Sequence, residues 1–201
     1  MECYGAGMAD RPYHHGNLRA ALLAEAERTL REEGVDRLSL RDLARQAGVS
    51  HAAPRRHFAD RQALLDALAA AGFLRLSDEL RAAIEDAGDD YEAQLRAAAI
   101  AYIRFATRDA ALLELMFTAK RGEQSAALRD AFGRVYAAVD GMVRQGQQAG
   151  TLRHGDPDRT RLLLFATMQG IAALVTTGAV DAGQIDGLIA DAVALFTSSS
   201  R

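Results

Sequence analysis

A chain of 201 residues with 49% apolar and 25% charged content holds enough hydrophobic material for a small packed domain and a larger one, without staples. The single cysteine, Cys3, excludes an internal disulfide and a metal site built from cysteines, and suits a reducing cytoplasm. The opening residues are polar and glycine-rich with no hydrophobic stretch, which argues against a secretory signal and leaves Met8 as a candidate natural start.

Every segment reads as helix, and no stretch alternates long enough to argue for a strand, so the expected fold class is all-α. Residues 1–12 are expected to be a disordered extension, with Tyr13, His14 and His15 a candidate arm ahead of the first helix. That helix, about Asn17 to Glu33, aligns Leu18, Leu22, Leu23, Ala26 and Leu30 on one face and stops at Gly34. Next comes LSLRDLARQAGVSHAAPRRHFADRQALL, from Leu38 to Leu65, which reads as a helix-turn-helix. Ser39 caps a helix that buries Leu40, Leu43 and Ala44. Gly48 supplies the positive φ that ends it, Val49 plugs the corner, and Ser50 caps a second helix expected to run to Phe58. Pro54 falls early enough in that helix for its missing N–H to do little harm.

Charge supports this reading. Between Arg37 and Arg61 six arginines face only Asp42 and Asp60, a local excess of four positive charges in a chain whose total is −3. Such a cluster fits a phosphate backbone. Ser50 opens the reading face, on which His51, Ala52 and one of Arg55 and Arg56 are the candidate base contacts, while Ser39, Arg41, His57 and Arg61 suit phosphates.

A long helix from near Arg61 places Leu64, Leu65, Leu68, Phe73, Leu76, Leu80 and Ile84 along one side and runs past the DNA-binding unit as a mechanical link. After a break at residues 87–90, one helix carries Tyr91, Leu95, Tyr102 and Phe105, and Asp109 caps a short one reaching Met116 and Phe117. Residues 120–124 form a polar loop before a helix with Leu128, Phe132, Tyr136, Met142 and Val143. Asp156 followed by Pro157 opens the next helix, which runs through Val175. The 19 uncharged residues from Leu162 to Val180 are expected to be a helix buried on several sides rather than a membrane span. A last helix carries Leu188, Ile189 and Phe196 before a disordered tail, 198–201. The expected domains are thus a DNA-binding unit, 13–61, and a C-terminal helical bundle, 62–197.

The run from His14 to about Phe73 resembles the tetracycline-repressor (TetR) family of bacterial regulators, through HHGNLR, ARQAGVS, RHF and ADRQALL taken together. HHGNLR and SHAAP resemble the subgroup whose C-terminal domain carries a Trp-His-Gly signature, which would align with FATMQG and put Phe165 for the tryptophan, Gln169 for the histidine and Gly170 in place. Two departures stand in the DNA-binding motif. Arg55 replaces the family's phosphate-binding tyrosine, and Arg61 replaces a phosphate-binding lysine with a planar fork. The resemblance implies a three-helix DNA-binding domain, repression of a promoter and release by a small-molecule effector.

A unit this small binds DNA weakly alone, so two copies are expected to face successive major grooves of a near-palindromic operator. Gly170, Ala173, Leu174, Leu188, Ile189 and Phe196, on the last two helices, are candidates for the homodimer interface. Tyr102, Phe105, Met116, Phe117, Phe132, Tyr136, Phe165, Met168 and Gln169 are candidates for the effector pocket; Gln169 needs either a ligand or a neighbouring helix as its partner. No catalytic residue, metal site, cofactor or membrane contact is indicated: the histidines sit at 14, 15, 51, 57 and 154, with no Glu-x-x-His pair. The alternatives are a helical interaction module without specific DNA binding and, further off, an all-α enzyme.

Overall fold

The structure is a computed structural model that describes residues 15–119 and 124–198. Among these residues are eight α-helices: α1 (His15–Glu33), α2 (Leu40–Gln46), α3 (Arg61–Asp86), α4 (Tyr91–Arg108), α5 (Ala110–Ala119), α6 (Ala126–Gln148), α7 (Pro157–Thr176) and α8 (Ile185–Phe196). The all-α expectation therefore holds. The extension 1–12, Tyr13, His14 and most of the 120–124 loop lie outside the described residues, as do 199–201 of the tail.

Polar side chains placed one residue before a helix fix most of the starts. Ser39, Asp60, Asp90, Ser125 and Asp156 each accept a hydrogen bond from a backbone N–H in the first turn they precede, at 3.1, 2.8, 2.8, 3.2 and 3.0 Å. Asp109 departs from that pattern. Its backbone carbonyl begins α5, but its carboxylate, 4% exposed, turns away to three arginines.

α3 is the spine, and α6, α4 and α5 pack on it most extensively. Its apolar stripe, Leu64, Leu68, Phe73 and Leu76, is almost completely buried. Aromatic contacts, edge-to-face except for the tilted pair Phe117 and Phe165, then run through the bundle. Phe73 meets Phe132 of α6 at 5.4 Å and Phe117 of α5 at 6.0 Å, and Phe165 of α7 meets Phe117 at 5.1 Å and Tyr102 of α4 at 6.0 Å. Such pairs contribute roughly 0.5–1.5 kcal/mol each beyond area burial.

Thr197 and Ser198 are better held than the serine content of the tail implies. Leu152 and Thr197 form an antiparallel bridge, and Ser198 donates its N–H to the Thr151 carbonyl at 2.8 Å. That pairing corrects the expected start of the disordered tail at 198, because the turn between α6 and α7 offers a backbone edge that composition does not reveal. Gln147, nearly buried, reinforces the same turn by donating to the carbonyls of Arg153 and Gly155, both at 3.2 Å.

One close approach has a testable cost. A Cβ at Gly146 would overlap the ring of Tyr91, whose hydroxyl is tied to the Met142 carbonyl at 2.9 Å. Gly146→Ala is expected to destabilise the fold by about 1–3 kcal/mol through overpacking, lowering Tm by roughly 2–4 °C per kcal/mol. Gly141→Ala, on the same helix with open space around it, is expected to leave Tm unchanged or raise it. Thermal unfolding of the two variants checks the pair, and equal behaviour would sink the argument.

Candidate functional site

The N-terminal unit is built from α1, α2 and the turn that follows. Gly48 at φ 66° ends α2, and Val49 donates back to the Ala44 carbonyl at 3.0 Å, closing the helix end as a Schellman motif. Leu43, Ala44, Pro54 and Phe58 are buried beneath, and the Arg19 guanidinium lies 5.4 Å over the Phe58 ring. The neighbouring carboxylate of Asp42 is held below its usual range, first by the Ser39 hydroxyl and then by Arg45.

The second helix of the motif differs from expectation. Residues 51–53 form tight turns and Pro54–Arg56 a single 3-10 turn, where an α-helix from Ser50 to Phe58 was anticipated. Pro54 has no N–H to give the Ser50 carbonyl. Ala53 supplies that bond instead at 2.9 Å, and three-residue spacing continues from Arg56 to Ala53 and from His57 to Pro54. Nor does Ser50 cap anything: its side chain makes no hydrogen bond among the described residues and is exposed. The path still turns the expected side chains outward.

Ser50, His51, Ala52, Arg55 and Arg56 are exposed together on this turn, with Arg41 exposed on α2 and His57 half-buried. No side-chain partner holds Arg41, Arg55 or Arg56 among the described residues, so their donors face solvent. Two of the candidate phosphate contacts have structural work instead. Ser39 donates its hydroxyl proton to Asp42 at 2.6 Å while capping α2. Arg61 donates Nε to the Leu38 carbonyl at 2.9 Å and a terminal nitrogen to that of Val35 at 2.6 Å, clamping the first residue of α3 to the loop beneath. Neither bond is visible in the sequence, since the carbonyls they use lie more than 20 residues away.

Besides the packing of α1 on α3 and α5, polar contacts tie this unit to the rest, and the clamp is one of them. At another, Asp109 lies 3.3 Å from Arg31 of α1, 3.4 Å from Arg75 of α3 and 2.7 Å from Arg108 of α4. Glu27 of α1 also pairs with Arg75 at 3.0 Å. Sequence spacing gives little warning of this cluster, because α1, Arg75 of α3 and the adjacent pair Arg108 and Asp109 are three segments far apart in the chain.

Within the bundle, a cavity of about 630 Å³ lies between α3, α4, α6 and α7. Of the effector-pocket candidates, Tyr102, Phe117, Phe132, Tyr136, Phe165 and Met168 line it, together with Phe73, Leu76, Leu80, Val139 and Met142. Phe105 and Met116 do not. Both are fully buried: Phe105 lies beneath the guanidinium groups of Arg75 and Arg108, at 5.5 and 5.6 Å from its centroid, and Met116 fills the space over Gly72. Gln169 is not on the wall either. Its side-chain oxygen accepts the Tyr102 hydroxyl at 2.6 Å, so its partner is a neighbouring helix. Burial raises the phenol pKa of Tyr102 further above its ordinary value. The exposed Tyr136, Asp158, Arg159 and Leu162 mark where the cavity opens to solvent.

α7 is not buried all round in the single chain. Leu162, Leu163 and Leu174 are 64%, 52% and 46% exposed, and Leu195 of α8 is 66% exposed. Gly170 and Ala173 are exposed beside Leu174. Ile189, named with them, is wholly buried in the chain's own core, and Leu188 and Phe196 are half-buried. The helical phase had grouped residues by hydrophobicity, which cannot tell an inward apolar face from an outward one; Leu163 and Leu195 escaped for the same reason. No described helix is long and apolar enough to cross a membrane, and no described group of three His, Cys, Asp or Glu side chains is placed to hold a metal.

Comparison with known proteins agrees with this layout. Residues 22–68 match the bacterial regulatory proteins of the tetR family, and residues 95–196 match the tetracyclin repressor-like C-terminal domain. No curated protein matches the chain. Among solved structures, a protein of unknown function from Rhodococcus sp. RHA1 is 46% identical, with a TM-score of 0.85 over 93% of this chain and 97% of its own. A TetR family transcription regulator from Marinobacter aquaeolei VT8 shares the fold at 18% identity and a TM-score of 0.75, covering 91% of this chain and 97% of that one. Another, from Haemophilus influenzae, does so at 17% and 0.69, covering 91% and 98%. With both halves matched in order and an N-terminal DNA-binding unit joined to a helical C-terminal domain, the chain belongs to the tetR family of bacterial regulatory proteins.

Proposed function

We propose that the protein is a dimeric, sequence-specific repressor of transcription in the cytoplasm, released from its operator by a small molecule bound in the C-terminal cavity. The observation that carries this reading is the exposed set Arg41, Arg55 and Arg56, unpartnered among the described residues, beside Ser50, His51 and Ala52 on a turn packed against α2 and, through Phe58, against Arg19 of α1. Arg55 and Arg56 have the reach and fork geometry to read guanine edges, and Ala52 fits a thymine methyl. Arg41 and His57 sit at the flank, where phosphates would pass. Arg61 retains one terminal nitrogen beyond its two loop bonds for the same purpose.

The exposed leucine stripe of α7 and α8 supports pairing of two copies, which would set the reading turns about 34–36 Å apart on a near-palindrome. Release follows from α3. Phe73, Leu76, Leu80 and Ile84 form one wall of the cavity, while the same helix begins at Arg61, clamped to the DNA-binding unit. A ligand that needs more room moves α3, and the unit swings with it. The boundary between residues 61 and 62 is thus a functional division within one continuous helix. Assignment to the Trp-His-Gly subgroup belongs to the same reading, with Phe165 and Gln169 in the signature positions.

Selection of bound duplexes from a random library, followed by anisotropy titration at several salt concentrations, tests the proposal. Recovery of a palindrome bound tightly, with a steep salt dependence, is expected. Failure to enrich any sequence would favour a helical interaction module instead.

A further inference from the structure

The cavity wall is apolar in its depth, and nearly all of its polar groups are already committed. The Tyr102 hydroxyl is given to Gln169, and that of Tyr136 faces Asp158 at 3.5 Å. Arg161 lies 4.0 Å over the Tyr136 ring and pairs with Asp140 and Asp158, both at 2.9 Å, while Asp140 is held in turn by Arg144 at 2.8 Å. Arg159 is the exception. It lines the cavity from the first turn of α7, is exposed at the mouth, and forms no hydrogen bond or ion pair among the described residues. Among the side chains that line the cavity, two arginines, 159 and 161, thus meet one carboxylate, Asp158, and the surplus charge is positive.

We propose that the effector is an amphipathic molecule with a hydrocarbon body and an anionic head, a carboxylate or a phosphate, held by Arg159 at the mouth. The inference rests on the reading of the cavity as the effector site. A polar body would lose its hydration against a deep wall that is almost wholly apolar and whose Tyr102 hydroxyl already gives its proton to Gln169, at a cost of roughly 1–3 kcal/mol per unpaired group. A cationic head would meet the like charge of Arg159, whereas an oxyanion matches its planar fork. Because the mouth stays hydrated, the head contributes selectivity more than raw affinity.

The test uses the full chain with Nile red as an apolar reporter, displaced by decanoate, decyl phosphate, decanol or decyltrimethylammonium below their micellar concentrations. At least one anion is expected to bind about tenfold more tightly than decanol, with the ammonium weakest. Arg159→Gln is expected to erase that advantage and leave decanol unchanged, while Arg134→Gln, an equal loss of charge elsewhere, preserves it. Decanol matching both anions, or an anion preference that survives Arg159→Gln, would overturn the head-group assignment. Val139→Trp, which fills the cavity, separates the two levels. If it blocks Nile red and decanol while no anion preference exists, the effector-cavity reading stands and the head-group inference falls. If no ligand displaces the dye and the tryptophan changes nothing, both fall.

Discussion

Replacing Arg55 and Arg56 together with alanine is expected to weaken operator binding by roughly a thousandfold, with no change in Tm. Each half-site loses a guanine-type contact of about 2 kcal/mol, and two symmetrical half-sites double the loss. Stability is spared because both side chains are exposed and support nothing else in the fold. Anisotropy titration across salt concentrations checks the result and divides the roles. If the arginines read bases, the salt slope changes little while discrimination among operator variants collapses. If they bind phosphates, the slope falls by about 0.9 for each contact removed and all sequences weaken alike. Unchanged affinity would mean that these arginines are merely solvated, and the DNA-binding reading of this turn would fail.

Leu163→Glu combined with Leu174→Glu is expected to convert the proposed dimer to a monomer and to lower operator affinity by 10²–10⁴-fold, since the linkage between two reading units supplies that much. Both leucines are half exposed in the single chain, so carboxylates there stay hydrated in the monomer and cost the fold little. In a dimer each would be stripped of water in an apolar seam without a countercharge, at several kcal/mol apiece. Sedimentation velocity on the variant, with circular dichroism as the control for folding, decides the matter. A folded variant that remains dimeric would move the interface to another face.

The departures from sequence expectation share a cause. Local chemistry within one turn of helix was legible: caps at Ser39 and Asp156, the Gly48 stop and the apolar stripe of α3 stand where residue type and spacing put them, whereas the caps expected at Ser50 and Asp109 do not form. Pro54 was legible too, but its effect on the turn depended on which carbonyl lost a partner and which N–H replaced it. Phe105, Met116 and Ile189 were correctly read as apolar and wrongly assigned to a pocket or an interface. Hydrophobic periodicity reports that a face avoids water without saying what it meets.

The sequence by itself determined the helical class, the order of the two parts, the helix-turn-helix and the basic residues that its turn exposes. These follow from interactions between residues within about four positions of one another: capping bonds, turn glycines and helical phase. Only the tertiary structure decided that Arg61 clamps the loop below it, that Asp109 gathers arginines from three helices, that Gln169 belongs to Tyr102, and that Arg159 stands without a partner among the described residues at the mouth of an apolar cavity. Each of these pairs a side chain with a group tens of residues away, or leaves it without one. That outcome is set by how whole helices pack, which no local pattern encodes.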